Sequence, residues 1–291
     1  MKLAWILLAG HLAALLFGLA GLLIALPNPQ LWSGDPTALR VFEFGMEYGG
    51  STHILFGAAA MFVFGWHIIG PRRTVIFFAV STILSLSSEL IGTGTGWPFG
   101  NYEYTSFLGY KVLDRVPFTI PLSWFYLGLA AYLLGSLLAA RMGRQRTFWS
   151  LFWGVWLLTA WDLVLDPAMA DPSLRVQFWT WHETGPYFGM PLQNLLGWSL
   201  TGLVYMGISR LLWGSDIEVT AVAPVATFPF LIYAANLVFA MALSASAGLW
   251  PPIVLAILAG LVPAALALRP PRASTTATPG RMAQPAPLGR P

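Results

Sequence analysis

Residues Phe148 to Pro167 read FWSLFWGVWLLTAWDLVLDP, and the meaning of this stretch decides the fold. Between Phe148 and Leu165 the one charged residue is Asp162, in a run close to the roughly 20 apolar residues that cross about 30 Å of hydrocarbon. An ionisable side chain at membrane depth is expensive, so it marks a functional position facing the protein interior. Asp166 follows one turn later, and Glu89 stands alone in a similar run, Thr74 to Ile91.

The rest of the chain agrees with a membrane reading. Of 291 residues 57% are hydrophobic and 9% charged. The expected architecture is an all-α, polytopic transmembrane helix bundle of about eight spans. They are centred on Leu3 to Leu26, Gly50 to Ile69, Thr74 to Ile91, Pro121 to Ala140, Phe148 to Leu165, Leu192 to Leu212, Ala221 to Leu243 and Trp250 to Leu268. The first run is too long for the core of a signal peptide and no A-x-A-like cleavage pattern follows, so it is read as a span. Residues 1–268 form the catalytic bundle in this reading. Residues 269–291, rich in Pro, Ala, Thr and Arg, are expected to be a disordered cytoplasmic tail.

Charge asymmetry sets the orientation. With both termini cytoplasmic, eleven of the fifteen basic residues fall inside: Lys2, Arg72, Arg73, Arg141, Arg144, Arg146, Arg210, Arg269, Arg272, Arg281 and Arg290. Arg40, Lys111, Arg115 and Arg175 fall outside, as do all acids except Asp216 and Glu218. The basic charges sit at helix ends and in the tail, so no nucleic-acid partner is expected. The lack of cysteine removes disulfides and thiolate metal sites from consideration. The expected setting is a bacterial plasma membrane, with the lipid bilayer as the surrounding partner.

Depth follows from counting. Glu89 lies 16 residues beyond Arg73 and Asp162 lies 16 beyond Arg146, so each sits about 24 Å up an outward-running helix. Asp166 shares the face of Asp162 by the i, i+4 rule. His53, Ser123, Trp124, Gln193 and Asn194 descend from the outer ends of returning spans toward the same level. A weak internal repeat fits this layer: Ser87-Ser88-Glu89-Leu90 precedes Ile120-Pro121-Leu122, and Trp161-Asp162 through Asp166-Pro167 precedes Met190-Pro191-Leu192. Pairing Glu89 with Asp162 gives acid-to-proline separations of 32 and 29 residues.

Plain structural roles compete with chemical ones. Glu89 could tie helices together beside Ser85, Ser87 and Ser88, and Asp166 before Pro167 could simply end its helix. The loop aromatics, among them Trp97, Phe99, Tyr102, Tyr104, Tyr110, Phe178, Trp179, Trp181 and Tyr187, read either as an interfacial belt or as a lid over an apolar ligand. Glu43 and Glu47 read as a solvated helical face, with Glu47 near enough to His53 to join the layer. His11 in mid-span has no assigned part. Four scattered histidines cannot supply a di-iron cluster, and no strand or glycine-rich nucleotide loop is evident. Two alternatives to a lipophilic acid-base enzyme stay open. The pair Asp162-x-x-x-Asp166 is similar to prenyltransferase diphosphate sites but lacks a second motif. A proton-coupled lipid transporter could also use intramembrane acids, though no span is clearly broken at its middle.

Several stretches, in order, resemble the membrane carotenoid-biosynthesis family, which includes the CruF-type carotenoid 1',2'-hydratases. They are Glu47-Tyr48-Gly49-Gly50 with His53, Ser88-Glu89-Leu90-Ile91-Gly92, Gly96-Trp97-Pro98-Phe99-Gly100-Asn101-Tyr102, and Val116-Pro117-Phe118-Thr119-Ile120-Pro121-Leu122-Ser123-Trp124. Trp161-Asp162 through Asp166-Pro167-Ala168-Met169, and Pro191-Leu192-Gln193-Asn194 with Gly197-Trp198, complete the set, which covers roughly Glu43 to Arg210. The resemblance implies addition of water to the terminal double bond of an acyclic psi end group on gamma-carotene, lycopene or a related carotenoid. It implies no cofactor and no metal. Expected partners are the carotenoid, water and other carotenoid-biosynthesis enzymes.

Such an alkene has neither an acidic proton nor a leaving group, so the feasible route is protonation to a tertiary cation and capture by water. A carboxyl in apolar surroundings keeps a proton available for that step, and two acids sharing a site help keep one protonated beside one ionised. Glu89, Asp162 and Asp166 are the expected catalytic set, with Asp162 or Glu89 as donor and the other, assisted by Asp166, handling water. Trp161, Trp124 and Tyr102 are expected to flank the cation, and His53 and Asn194 to position the water. The remaining polyene should fill an apolar groove between helices.

Overall fold

In hydrocarbon every backbone N–H and C=O must be satisfied within its own segment, so long apolar runs become helices. The structure, a computed structural model, describes residues 1–142 and 146–269. Arg144 and the proposed tail from residue 270 onward lie outside the described residues.

Among the described residues seven helices are long and apolar enough to cross a membrane. They are α1 (Lys2–Ala20, continued by a π-helical turn, Gly21–Ala25), α2 (Pro36–Ile68), α3 (Pro71–Thr95), α4 (Thr119–Ala139), α5 (Arg146–Ala170), α6 (Gln193–Trp213) and α8 (Thr227–Ser246). The short α7 (Val219–Val222) precedes α8. The expected eighth span is a shorter apolar helix, Trp250–Leu266, made of α9 (Trp250–Leu255), a π-helical turn (Ala256–Leu261) and α10 (Val262–Leu266). The membrane-embedded, all-α character read from the sequence therefore holds.

Helix starts differ from the hydropathy reading where capping chemistry overrides it. α2 begins at Pro36 rather than Gly50, because Asp35 accepts hydrogen bonds from the backbone N–H groups of Thr37 and Ala38, both at 2.8 Å, and Pro36 suits the first turn. Its 33 residues extend about 50 Å. α8 begins at Thr227 rather than Ala221, after a 3-10 turn (Ala223–Val225) that contains Pro224.

α4 is apolar all round and is the central helix, with 94% of its apolar window buried, and it packs on α2, α3, α5 and α8. Its closest neighbour is α5, where a methyl group on Gly135 would collide with the backbones of Gly154 and Ser150. Close backbone approach through small residues is how membrane helices gain packing energy without a hydrophobic driving force. At the end of the bundle far from Glu89, Arg210 Nε meets Asp216 at 2.5 Å and Thr147 Oγ1 donates to the same carboxylate at 2.8 Å. Burial alone would push the Asp216 carboxyl up, but these donors and the nearby Arg146 hold it below the usual carboxylate range.

The loops hold what the sequence reading missed. Strands were judged absent, yet β1 (Tyr102–Tyr104) pairs antiparallel with β4 (Trp179–Trp181), and β2 (Lys111–Val112) with β3 (Val116–Pro117). Two- and three-residue strands carry too little periodicity to be seen, but Tyr-x-Tyr and Trp-x-Trp are strong strand formers that place their rings on one face. The β1–β4 ribbon joins the α3–α4 loop to the α5–α6 loop. Backbone bonds from Thr105 to Phe178 (3.0 Å) and from His182 to Asn101 (2.8 Å) extend it at both ends.

Candidate active site

The ribbon hangs over the acids and supplies their hydrogen-bond donors. Glu89 in α3 accepts from the hydroxyls of Tyr102 and Tyr104, the latter at 2.9 Å, and from Trp124 Nε1 in α4 at 3.0 Å. Asp166 in α5 accepts from Trp181 Nε1 at 2.8 Å, Trp179 Nε1 at 3.3 Å and Asn194 Nδ2 in α6 at 3.3 Å. Both acids lie 13 and 15 residues before their two ribbon donors. Both third donors stand three residues after a proline, Pro121 or Pro191. One device is thus built twice, and the register Tyr102↔Trp181, Tyr104↔Trp179 maps onto itself when the two copies are exchanged.

This corrects the internal repeat. Glu89 corresponds to Asp166, not to Asp162. The position equivalent to Asp162, one turn before Glu89, holds Ser85. Asp162 is therefore the residue at which the two halves differ. It is fully buried, its Oδ2 accepts from Asn194 Nδ2 at 2.8 Å, and its Oδ1 has no hydrogen-bond partner among the described residues. Asn194 Nδ2 bridges the two aspartates.

The possibility that Asp166 merely ends its helix is also overturned, because α5 runs through Pro167 to Ala170. Proline at that place leaves the Leu163 carbonyl without its helical donor, and the Tyr187 hydroxyl fills the vacancy at 2.6 Å. Burial and the neighbouring Asp162 and Asp166 push the Tyr187 phenol well above its ordinary range, so it stays a donor. Burial and the Glu89 charge do the same for Tyr102 and Tyr104.

The three acids line one cavity, and so do Trp161, Trp124, Tyr102, His53 and Asn194. The eight residues singled out in the sequence meet in one place. Tyr104, Trp179, Trp181, Trp198, Tyr126 and Asn236 also line it and were not assigned there. Equal spacing from Glu89 and from Asp166 was the signal for the ribbon four. The loop aromatics thus divide: Tyr102, Tyr104, Phe99 and Trp179 are buried over the site, whereas Trp97 and Tyr110 are exposed. Trp124 stacks on Trp198 at 4.1 Å, and Trp161 meets Trp198 edge to face at 5.6 Å. Trp161 Nε1 has no hydrogen-bond partner among the described residues.

On the opposite wall, His11 Nδ1 donates to the His53 carbonyl at 2.7 Å, and Asn236 Nδ2 donates to His11 Nε2 at 3.1 Å. Tyr126 donates to Asn236 Oδ1 at 2.9 Å. That chain fixes His11 as a neutral tie between α1, α2, α4 and α8. His53 Nδ1 is 3.2 Å from the Gly49 carbonyl, which leaves Nε2 as the acceptor nitrogen. Gln193 turns away and donates to the Gly96 carbonyl at 3.0 Å, while Glu47 is exposed and outside the cavity.

Fold and site together define a polytopic membrane protein with a buried acidic chamber roofed by aromatic loops. Residues 49–263 match the family model described as carotenoid biosynthesis protein, and the chain belongs to that family. It is 32% identical over 194 residues to bisanhydrobacterioruberin hydratase of Haloarcula japonica. That alignment takes in 66% of this chain and 61% of the haloarchaeal protein, so the chain is matched to somewhat less than two thirds of its relative's length. No solved structure matches.

Proposed function

We propose that this protein is a carotenoid hydratase that adds water across the terminal 1',2' double bond of an acyclic psi end group. The observation that carries the reading is a fully buried aspartic acid, Asp162, lining an aromatic cavity with one oxygen unpartnered, in a chain of the carotenoid biosynthesis family. The hydratase named for the haloarchaeal relative supports the reaction class. Gamma-carotene and lycopene are the substrates in view, and the products are xanthophylls.

Asp162 is the proton donor in this reading. Its Oδ1 has no partner among the described residues and can carry the proton, whereas Glu89 and Asp166 each accept from three donors. The alkene π electrons form the new C–H bond at C2', and the aspartyl O–H bond breaks. C1' is left as a tertiary cation. A water oxygen then bonds to C1', and its surplus proton passes to the aspartate pair bridged by Asn194. The site returns to its starting protonation state, with one water added and no redox change.

Each remaining wall has work in this scheme. The faces of Trp161 and Trp198 stabilise the cation, an interaction worth about 2 kcal/mol or more when desolvated. The Glu89 carboxylate, held by Tyr102, Tyr104 and Trp124, is a fixed counter-charge that needs no reorganisation as the cation forms. His53 Nε2 accepts a hydrogen bond from the attacking water. These assignments require no bound cofactor.

Expression in a host that makes lycopene or gamma-carotene should yield a product heavier by one water, with heavy oxygen incorporated from labelled solvent. Oxygen arriving from labelled dioxygen instead would mean hydroxylation, and the hydratase reading would fail.

A further inference from the structure

The acidic cavity does not end at His53. A second space shares His53, Met169 and Phe239 with it, and a third shares Gly18, Leu22, Gly45 and Met46 with the second. They adjoin in series from the acids to a groove between the end of α1 and the first turns of α2. We propose that this groove holds the polyene rod of the substrate while its end group sits among the acids. The proposal deepens the hydratase reading by naming where the rest of the same molecule lies.

Four observations favour a polyene over an accidental gap. The space between the groove and the acidic cavity shares a wall with each, at His53 and Phe239 on the acidic side, whose rings stack at 5.8 Å, and at Gly45 and Met46 on the groove side. Its lining is apolar apart from Asp35 and Thr37 at the start of α2, and Asp35 is engaged in capping. From His53 to Asp35 α2 rises about 27 Å, outward from the level of the acids and on the length scale of a rigid polyene. Trp32 and Phe42, stacked at 4.0 Å and nearly parallel, with Trp32 Nε1 donating to the Ala25 carbonyl, wall the groove about 16 Å along α2 from His53. A flat aromatic wall suits the flank of a rigid conjugated chain.

The floor is kept open by glycine. A Cβ on Gly49 in the middle space, or on Gly21 in the groove, would meet nothing within 4 Å, so the backbone tolerates side chains that the rod would not. Gly49→Phe and Gly21→Phe should fill these spaces without touching an acid.

The test uses full-length protein in phosphatidylcholine nanodiscs, titrated with lycopene and followed by polyene absorbance. Both variants should weaken binding at least tenfold while unfolding at the wild-type temperature, and Gly207→Phe, in α6 and outside the lining of all three spaces, should bind as wild type. Wild-type affinity in both Phe variants overturns the groove. So does a wild-type protein that takes up only phospholipid acyl chains and no polyene. Should Gly49→Phe fail to fold, Gly21→Phe decides by itself. The two readings separate cleanly: polyene binding lost in the variants without water addition by wild type defeats the hydratase and keeps the groove, and the reverse pattern defeats the groove alone.

Discussion

The acids differ in how completely they are satisfied, and that difference predicts how each responds to substitution. Asp162→Asn removes the donor proposed for the first step, so turnover should fall by about 10²–10⁴-fold while lycopene binding persists. Full activity in that variant would remove Asp162 from the mechanism. Tyr104→Phe strips one of three donors from Glu89 and leaves Tyr102 and Trp124 in place. It should lower kcat by roughly tenfold, less than the 10²–10³ lost with a sole oxyanion donor, and leave KM unchanged. A raised KM with normal kcat would make the tyrosine a binding contact only. At this scale the sequence was informative about depth and poor about partners. An acid in an apolar run is conspicuous because its cost is local, whereas the partners of Glu89 come from the next loop and helix. Counting from Asp162 hid the equal spacing of Tyr102, Tyr104 and Trp179, Trp181 from their true anchors.

Helices were legible because hydrocarbon forces each apolar run to close its own hydrogen bonds, and their limits were legible only where no cap intervened. Asp35 starts α2 well before its apolar part begins, and hydropathy has no term for that. α5 shows the converse, a proline that the helix survives. The Tyr187 hydroxyl replaces the donor that Pro167 lacks, so Tyr187→Phe should leave the Leu163 carbonyl unsatisfied and cost about 1–3 kcal/mol. Pro167→Ala restores a backbone N–H for the same carbonyl. In that background most of the cost of Tyr187→Phe should vanish, as read by heat unfolding in detergent through a double-mutant cycle. Strictly additive losses would show that Tyr187 acts elsewhere. The ribbon strands were illegible for a plain reason: three residues of alternation inside an aromatic loop match an interfacial belt equally well.

Over the whole molecule, the basic end and the acidic end give the bundle a polarity that can be measured. The sequence contains no cysteine, so a single introduced thiol reports without background. Asp114→Cys in the exposed loop beside β2 should react with a membrane-impermeant maleimide on intact cells, and exposed Met142→Cys only after permeabilisation. The opposite pattern would invert the orientation and place the acids near the cytoplasm. The two-fold construction of the roof also bears on recombination between relatives. Each edge of the ribbon belongs to a different hairpin, yet each edge anchors a carboxylate of its own hairpin while bonding to its neighbour's backbone. A chimaera that imports one of these loops alone inherits a mismatched seam, and both acids lose their setting at once. Grafts in this scaffold should therefore travel as matched pairs, the tyrosine edge together with the tryptophan edge.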